Sequence, residues 1–461
     1  MINIEELQST FRGRLIQPND SDYDEERQVW NGYIDKHPAL IAKCSGMADV
    51  IDAVNFARKN DIEVSVRGGG HNVAGSALCD DGMVIDLSEM RGIHVDASQK
   101  LARVQGGATW GDLDRETQVF GLAAPGGVVS TTGVAGLTLG GGLGWMRKKH
   151  GLSCDNLQSV EIVTADGELL TASDTENPDL FWALRGGGGN FGIVTSFVFH
   201  LHEVGPTVMM CAVMYPVEIA KTVLSTWKDF MIASPDEISS QLLFWALPDT
   251  DDFPDEARGK HVIAITAMYV GDPDEGEKAF RELREINTPV LDLSGKIPYS
   301  VAQTMFDPFF PKNERHYYFK SQDLASLNQE TMDALIEGAK NRPVPSMLLA
   351  IWHYGGEMNR IASTDTAFGS RNTTFLMSVD SVWDDPADSE KVISWSRNFL
   401  DQMKQFSGDG MYVNFSGFGE EGEDLVQKAY GDNYERLTKI KTEYDPDNFF
   451  HLNQNIKPVS E

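Results

Sequence analysis

The chain has 461 residues, of which 41% are hydrophobic and 23% charged, a balance typical of globular proteins. Lys and Arg total 39 against 69 Asp and Glu, so the net charge is −30, which argues against nucleic acid or an anionic membrane face as a partner. Four cysteines without metal-ligand spacing exclude a dense disulfide scaffold, favour a reducing compartment and leave no metal site to predict.

The N-terminus lacks a basic region followed by an apolar stretch, so we expect no signal peptide. No apolar run reaches about 18 residues, so no membrane-spanning helix is expected either. These observations predict a cytoplasmic protein.

The first predicted elements lead into a glycine-rich turn. Residues 46–59 carry apolar side chains at helical spacing, and an alternating strand around Val64 runs straight into residues 67–72, Arg-Gly-Gly-Gly-His-Asn. Glycines after a strand let backbone N–H groups close around an anion, because no Cβ blocks the approach. The adjacent His71 can do proton chemistry, bind a metal or form a covalent bond, or it can be a bystander in an exposed turn.

Further short elements follow. Strands are predicted over 83–87 and 101–105, and a helix runs from about Trp110 to Val119 and stops near Gly121. Residues 125–144 are too glycine-rich for a regular helix or strand and too apolar for a flexible linker. That composition predicts a close approach of the backbone to a flat ligand.

A hairpin is predicted next, with its turn at Asp166-Gly167. A short helix over 177–184 then runs into four glycines, and a strand extends from about Phe191 to His202. Three glycine-rich stretches in one N-terminal region suggest a dinucleotide. The usual G-x-G-x-x-G fingerprint at the start of a helix is absent, so the cofactor must be held in another way.

The sequence changes character near Gly205-Pro206. Residues 207–408 have fewer glycine clusters and read as a separate antiparallel α+β domain, with surface helices over 274–286 and 328–340. Its strands are predicted around 261–269, 345–354 and 374–380. The last 50 residues include a helix at about 423–440, and no internal repeat is present.

Six short motifs, in this order, resemble those of flavin oxidases of the vanillyl-alcohol oxidase type with a berberine-bridge C-terminal segment. This branch includes 6-hydroxy-D-nicotine oxidase and oligosaccharide oxidases. The motifs lie at residues 66–72, 133–144, 151–156, 180–187, 191–195 and 444–450. The resemblance implies an α+β fold: a PCMH-type FAD-binding domain of two α+β subdomains with an inserted antiparallel-sheet substrate domain. The corresponding domains are 1–205 for FAD binding, 206–408 for substrate, and 409–461 for a segment that returns to the FAD domain.

The resemblance also implies which residues hold FAD. In the family, the histidine that matches His71 bonds covalently to the 8α-methyl group of the flavin. The cofactor-binding positions carried over are Arg67, Gly68, Gly69, Gly70, His71, Asn72, Ser76, Gly127, Thr132, Gly133, Gly136, Gly140, Gly141, Gly144, Asn156, Gly192, Ile193, Val194 and Asn453.

A second flavin link, which some relatives make through a cysteine, is not expected here. Val129 stands at the matching position, and Cys154 lies too far along the chain, where it is interpreted as a core or loop thiol. Thr132 matches a position that controls oxygen access in plant relatives, and its small size favours reaction with oxygen.

Residues 411–415, Met-Tyr-Val-Asn-Phe, resemble the family's Tyr-x-Asn strand near the flavin. Tyr412 would be a base if a nearby cation lowers its pKa, or a hydrogen-bond donor if none does, and Asn414 would orient substrate or the flavin edge. The alternative is a strand with Tyr412 in the core. Three weaker candidates are open. Glu357 is either an acid near the flavin or a solvated turn residue. Lys320 either faces the pocket, where it would stabilise an anion, or lies at the surface, and the same two alternatives apply to His353.

Taken together, the resemblance implies an FAD-dependent oxidase. It would transfer a hydride from a CH–OH or CH–N group of a small molecule to the flavin, and O2 would reoxidise the flavin to give H2O2. The protein would be a monomer or a homodimer. The alternatives are a dehydrogenase with another electron acceptor, a flavin-loaded structural or stress protein with little turnover, and an NADPH-dependent reductase, for which no nicotinamide signature is present.

Overall fold

Three large β-sheets and one two-stranded sheet, flanked by helices, make up the part of the protein that the structure describes. The computed structural model describes residues 2–408, 410–419 and 423–459. The helices are α1 Glu5–Gln8, α2 Tyr23–Glu26, α3 Met47–Lys59, α4 Trp110–Thr117, α5 Val134–Leu139, α6 Arg147–His150, α7 Pro178–Leu184, α8 Ala220–Ala233, α9 Pro273–Ala279, α10 Arg281–Arg284, α11 Tyr299–Ala302, α12 Gln329–Lys340, α13 Glu357–Arg360, α14 Ser389–Met403, α15 Glu423–Tyr430 and α16 Tyr434–Tyr444.

The first sheet brings the glycine-rich turn to the end of a parallel strand. Its strands are β1 Arg14–Ile16, β2 Leu40–Lys43, β3 Val64–Arg67 and β4 Met83–Asp86, in the order β1-β2-β4-β3. Strands β2, β3 and β4 are parallel, with α3 as the crossover between β2 and β3. Asp49 fixes the start of α3 by accepting hydrogen bonds from the Ser45 backbone and hydroxyl.

The second sheet is antiparallel. The strands of this region are β5 Ile93–Asp96, β6 Leu101–Gln105, β7 Leu122–Ala123, β8 Leu157–Val163, β9 Leu169–Ser173, β10 Ile193–His200 and β11 His202–Glu203. Five of them form a sheet in the order β5-β6-β10-β8-β9, while β7 and β11 pair separately. The predicted Asp-Gly hairpin joins β8 to β9. Helix α4 begins with a capping box between Thr109 and Asp112 and ends before Gly121, whose φ is +66°.

The third sheet is the largest and is entirely antiparallel. Its strands are β12 Thr207–Pro216, β13 Ile238–Ala246, β14 His261–Tyr269, β15 Leu291–Asp292, β16 Gly295–Pro298, β17 His316–Leu324, β18 Leu348–His353 and β19 Phe375–Trp383. The order is β15-β12-β14-β13-β18-β19-β17, and β16 also pairs with β12.

Both faces of this third sheet are covered, so its central strands β13 and β19 are buried along their whole length. One face packs on helices α8, α12 and α14, with Leu242 and Met377 among the buried side chains. Because side chains alternate along a strand, their neighbours Leu243 and Leu376 point to the other face, toward the glycine-rich region.

The C-terminal segment returns to the first half of the chain. The Lys441 ammonium in α16 is completely buried, where it donates to the Asp445 carboxylate and to the backbone oxygens of Asn190 and Phe450. Removing one partner from such a buried pair typically costs about 3–5 kcal/mol. This contact therefore anchors the C-terminal segment against the second sheet.

Two local predictions were wrong. Residues 411–415 do not form a strand; Val413–Phe415 is a 3₁₀ turn, because the Tyr412 N–H bonds the Ser321 hydroxyl instead of a neighbouring strand. The stretch 125–144 contains the short helix α5, whose Val134 and Leu139 are buried in the core, so tertiary packing outweighs the cost of its glycine.

The α+β class expected from the sequence is confirmed. The first two sheets and the separate β7–β11 pair use residues 14–203, and the third sheet uses residues 207–383. On this basis we propose the division into 1–205, 206–408 and 409–461, although residue 409 itself lies outside the described residues. Within the described part of the chain, no helix combines the length and apolarity needed to cross a membrane.

Candidate active site

A cavity of about 310 Å³ lies between the glycine-rich loops and the third sheet. The first two sheets and the C-terminal segment contribute one side of it, which we call the glycine wall. It contains residues 68–73, 127–140 and 188–194 together with 450–454. Side chains of β13, β17, β18 and β19 contribute the opposite side, which we call the sheet wall.

In the glycine wall, the backbone around Gly69 is in direct contact with the backbone around Gly133. A Cβ at Gly69 would lie 2.5 Å from Cα and N of Gly133, and a Cβ at Gly68 would lie 2.9 Å from the Gly106 oxygen. Side chains are therefore excluded at these positions by the packing of backbone on backbone. The surface left facing the cavity is mostly peptide, the kind of surface that backbone N–H groups need in order to reach a phosphate.

A buried ion pair supports this wall from behind. The Arg67 guanidinium donates to the Asp86 carboxylate at 2.6 Å and to the Glu26 backbone oxygen at 2.6 Å. Both side chains of the pair are almost completely buried, and Arg67 does not line the cavity. It therefore fixes the end of β3, where the glycines begin, without reaching a ligand.

His71 is held in a stack of rings. Its imidazole lies 4.2 Å from the Trp30 ring, nearly parallel, and Trp30 in turn stacks on Tyr317 at 3.8 Å. The His71 Nε2 atom also lies 3.0 Å from the Thr131 hydroxyl. Burial lowers the pKa of His71 to about 3, with a small contribution in the same direction from Lys312. At neutral pH the ring is therefore in its neutral form, in which one nitrogen carries a lone pair.

Trp30 and Asn31 form a short segment, which we call the strap, that joins the two walls. The Trp30 N–H donates to the Gly70 oxygen at 3.1 Å, and its indole Nε1 donates to the Phe310 oxygen at 2.9 Å. The next residue, Asn31, donates to the backbone oxygens of Val73 and Tyr317. These contacts hold the His71 loop in a constant position relative to the third sheet.

The sheet wall is assembled by strand register. Asp380 of β19 lies opposite Phe319 of β17 on one side and Leu348 of β18 on the other, so the three form one row across the sheet. Gln241 of β13 lies opposite Trp352 of β18 in a second row. Directly opposed side chains in an antiparallel sheet are about 4.5–5.5 Å apart. The row of Leu243, Ala350 and Ser378 lies between these two rows on the same face of the sheet.

Asp380 is the chemically distinctive residue of the sheet wall. It is 7% exposed, and its Oδ1 atom has no hydrogen-bond partner among the described residues. Its Oδ2 accepts from the Ser378 hydroxyl at 3.2 Å, which accepts from the Trp352 indole at 3.3 Å. Burial raises the pKa of Asp380 to about 7, against the lowering effect of Ser378. The carboxyl group can therefore take up and release a proton near neutrality.

The Tyr412 hydroxyl oxygen accepts three hydrogen bonds. The donors are the backbone N–H groups of Gly142 at 3.2 Å and Leu143 at 3.1 Å, and the Asn414 amide at 2.8 Å. The same Asn414 amide donates to the Leu137 oxygen in α5. Burial raises the pKa of Tyr412 to about 12 despite these bonds, and no cation is among the causes. At neutral pH the phenol keeps its proton.

A buried cation lies behind the sheet wall. The Arg147 guanidinium stands 5.4 Å from the centre of the Trp352 ring and donates to the backbone oxygens of Gly144, Ser240 and His353. It thereby ties the glycine stretch to β13 and β18. No local pattern reveals this role, because a lone arginine after a glycine run is indistinguishable in sequence from a surface residue.

Most of the predicted cofactor and catalytic residues line this one cavity. They are Gly68, Gly69, Gly70, His71, Asn72, Ser76, Gly127, Thr132, Gly133, Gly136, Gly140, Gly192, Ile193, Val194, Tyr412, Asn414 and Asn453.

Four predicted cofactor residues do not line it. Besides Arg67, these are Gly141, Gly144 and Asn156. A Cβ at Gly141 would lie 2.7 Å from the Phe368 ring and one at Gly144 would lie 1.6 Å from the Gly126 oxygen, so both glycines serve internal packing. The Asn156 amide donates to the oxygens of His150 and Leu152.

The three weaker candidates also lie outside the cavity lining. Lys320 and His353 follow Phe319 and Trp352 directly in their strands, and alternation turns them to the opposite face. Glu357 pairs with Arg360 at the surface. Asp380, Trp30 and Arg147 were missed, and only the alternation of β19 could have indicated Asp380.

Comparison with known proteins places this site in a class. The family model described as "FAD binding domain" matches residues 38–173, and the model described as "Berberine and berberine like" matches residues 411–457. Both matched segments contribute to the glycine wall. The fold and the site thus define an FAD-binding oxidoreductase.

Relatives extend along the whole chain. The FAD-linked oxidoreductase YgaK of Bacillus subtilis is 32% identical over 463 residues, which cover 97% of each chain. The (R)-6-hydroxynicotine oxidase of Paenarthrobacter nicotinovorans is 31% identical over 474 residues, again 97% of each chain. The chain therefore belongs to the berberine-bridge-like FAD-linked oxidoreductases, and the family resemblance and the enzyme assignment are confirmed.

Solved structures agree on the fold. The crystal structure of 6-hydroxy-D-nicotine oxidase from Arthrobacter nicotinovorans matches with a TM-score of 0.86 and 28% identity, and covers 97% of this chain and 98% of its own. The BBE-like 1 protein of Physcomitrella patens matches with a TM-score of 0.89 at 21% identity over the full length of both chains.

The residues present fit an FAD group. The backbone contact between Gly69 and Gly133 leaves a peptide-lined surface, and the nearby Oδ1 atom of Asn453 is buried without a hydrogen-bond partner among the described residues. Because a buried polar atom without a partner is costly, this atom marks a place where a ligand group would bind.

Proposed function

We propose that this protein is an FAD-dependent oxidase that removes a hydride from a CH–OH or CH–N group of a small molecule, with O2 as the final acceptor and H2O2 as product. The observation that carries the proposal is the cavity itself: it joins the glycine wall and His71 to a carboxyl group with an unpartnered oxygen, Asp380. FAD, when bound, supplies the two-electron acceptor.

We propose that residues 68–72, 132–140, 192–194 and 453 hold the cofactor and that His71 bonds to it covalently. The neutral imidazole supports this, because only an unprotonated nitrogen can act as a nucleophile. The contact between Nε2 and the Thr131 hydroxyl and the stacking on Trp30 fix the orientation of the ring.

A single attachment point is part of the proposal. All four cysteines are buried, and none of them lines the cavity. Val129 lines the cavity at the position where the family resemblance implies a second link in some relatives, and its side chain offers no nucleophile. The small Thr132, also in the lining, supports access for oxygen.

Asp380 is the proposed proton acceptor. Loss of a hydride from a carbon needs loss of a proton from the attached O–H or N–H, and a carboxylate with a pKa near 7 is suited to accept it. Tyr412 retains its proton and so acts as a positioning group: its oxygen gathers three donors from the glycine stretch and Asn414.

The test begins with the purified holoenzyme. Flavin absorbance that stays with the protein after acid precipitation, and is lost to the supernatant in His71→Ala, would support the covalent bond. Anaerobic mixing with a panel of alcohols and amines should bleach the flavin, and air should restore it faster than an artificial dye restores it. Colourless protein that takes up no added FAD would overturn the proposal.

If dithionite reduces the flavin but no alcohol or amine of the panel does, the proposed substrate classes are contradicted. Reoxidation by dye but not by air would replace the oxidase by a dehydrogenase.

A further inference from the structure

We propose that the substrate of this site is an amine on a compact aromatic or apolar body, bound with its nitrogen at Asp380 and its body against Trp352 and Phe319. The proposal rests on the proposed oxidase function and narrows it, since that function allows alcohols, sugars and amines equally.

The sheet wall, together with Phe306 and Phe310 from the segment between β16 and β17, offers mainly apolar surface. The side chains that reach the cavity from residues 241–380 are Gln241, Leu243, Phe306, Phe310, Phe319, Leu348, Trp352 and Asp380. Six of these eight are hydrophobic and four are aromatic. Such a surface favours binding of a flat or apolar body. Each contact between aromatic rings contributes about 0.5–1.5 kcal/mol beyond the free energy of burying the apolar area.

The polar groups of the wall are few. The Trp352 indole is engaged by Ser378, and one Asp380 oxygen accepts from that same hydroxyl. What remains is the carboxamide of Gln241 and the Oδ1 atom of Asp380. A sugar would bring many hydroxyl groups to a surface with few partners for them, and each unmatched group costs about 1–3 kcal/mol.

The charge of the lining favours a cation over an anion. Among the described lining residues, Asp380 carries the only carboxyl group and no lysine or arginine is present. The buried cation Arg147 contacts the Trp352 ring, does not line the cavity and donates to backbone oxygens. A substrate carboxylate would thus meet one carboxyl group and no lysine or arginine side chain in this lining. The net charge of −30 also raises the local concentration of cationic ligands.

The chemistry balances for an amine. An ammonium substrate first gives its nitrogen proton to the Asp380 carboxylate. The neutral amine then loses a hydride from the adjacent carbon, so the C–H bond breaks with its electron pair and a C=N bond forms. FAD, when bound, would accept this hydride and pass the two electrons to O2. The hydride's proton together with the proton held by Asp380 would complete H2O2 and restore the carboxylate. Water hydrolyses the iminium product to a carbonyl compound and ammonium.

A binding experiment separates this proposal from the proposed function. The probe is α,α-dimethylbenzylamine, which has no hydrogen on the carbon next to nitrogen and cannot be oxidised. Its alcohol counterpart, 2-phenyl-2-propanol, has the same shape. Binding of each to the holoenzyme at pH 8 is followed by the change in flavin absorbance.

We expect the amine to bind at least about tenfold more tightly than the alcohol, as a charge-assisted hydrogen bond would give. Asp380→Asn should abolish this difference. Asp384→Asn is the matched control: this exposed carboxylate near the end of β19 pairs with Arg315 outside the cavity, so the preference should persist.

Equal or tighter binding of the alcohol would overturn the amine proposal, whatever the enzyme oxidises. A preference for the amine that survives in Asp380→Asn would overturn the role of Asp380. In a parallel measurement, benzylamine should reduce the flavin at least tenfold faster than benzyl alcohol. Faster reduction by benzyl alcohol or by glucose would overturn the substrate class while leaving the oxidase intact.

Discussion

The two walls of the cavity differ in how the sequence encodes them. The glycine wall comes from continuous stretches, in which neighbouring residues in the chain are neighbours at the surface. The sheet wall comes from alternate residues on four strands between Gln241 and Asp380, which are brought together by register. The difference teaches that a cavity wall made of backbone leaves a readable motif in the sequence, whereas a wall made of side chains from separate strands does not.

The strongest test of the glycine wall is Gly69→Ala. The added Cβ would lie 2.5 Å from two backbone atoms of Gly133, so one of the two loops must move. We expect loss of stable FAD binding and a lower melting temperature, measured from the ratio of flavin to protein absorbance and by thermal unfolding. Gly46→Ala is the control, because its Cβ would meet nothing within 4 Å. Normal flavin content in Gly69→Ala would show that the backbone contact is dispensable.

The sheet wall is tested by Asp380→Asn. Loss of a general base lowers turnover by about 10²–10⁴-fold, and the variant should show this in kcat measured with saturating substrate. In the wild type, kcat/KM should rise with pH through about 7 as the carboxyl ionises, and the variant should lose this rise. An unchanged pH profile would remove Asp380 from the chemistry.

The same carboxyl group affects stability. Its pKa is about 7 when folded and about 3.9 in an unfolded chain, so the folded state holds the proton more tightly. This group by itself therefore contributes a loss of stability as pH rises from about 4 to about 7, whereas the lowered pKa of His71 acts in the opposite direction. Asp380→Asn removes only the first contribution, so the free energy of unfolding of the wild type relative to this variant should fall over that range.

The link between the walls is tested by Trp30→Ala. Removing the ring that stacks on His71 should slow covalent flavin attachment about tenfold, because the imidazole is no longer held in one orientation. The measurement is the acid-stable flavin fraction against time after FAD is added to flavin-free protein. Trp30→Phe should be closer to the wild type. Trp395→Ala, which disrupts a similar stack on Phe399 in α14, is the control. Attachment at the wild-type rate would show that another contact orients His71.

The smallest effect is expected for Tyr412→Phe. Three donors lose their acceptor, which should lower the free energy of unfolding by about 1–3 kcal/mol. Turnover should fall by no more than about tenfold, with the pH profile unchanged, because the phenol is protonated at neutral pH. Tyr215→Phe, which removes one bond to the Leu283 oxygen away from the cavity, calibrates the cost. Disappearance of a pH-dependent limb would assign the base to Tyr412 instead.

The same contrast explains which predicted residues line the cavity. Gly69 and His71 line it, and their motif is contiguous in the chain. Arg67 and Asn156 stand inside such motifs, yet their side chains bond Asp86 and His150, which no local pattern reveals. Asp380 is one of 69 acidic residues, and only its position on the buried cavity-facing side of β19 distinguishes it.

By itself, the sequence determined the α+β class, the family and the glycine-rich cofactor loops, because strand alternation and glycine runs are local properties of the chain. The tertiary structure alone decided the sheet wall, the burial that sets the pKa of Asp380 and His71, and the strap that stacks Trp30 on His71. Those properties depend on desolvation and on contacts between residues more than 40 positions apart, and neither leaves a trace in local composition.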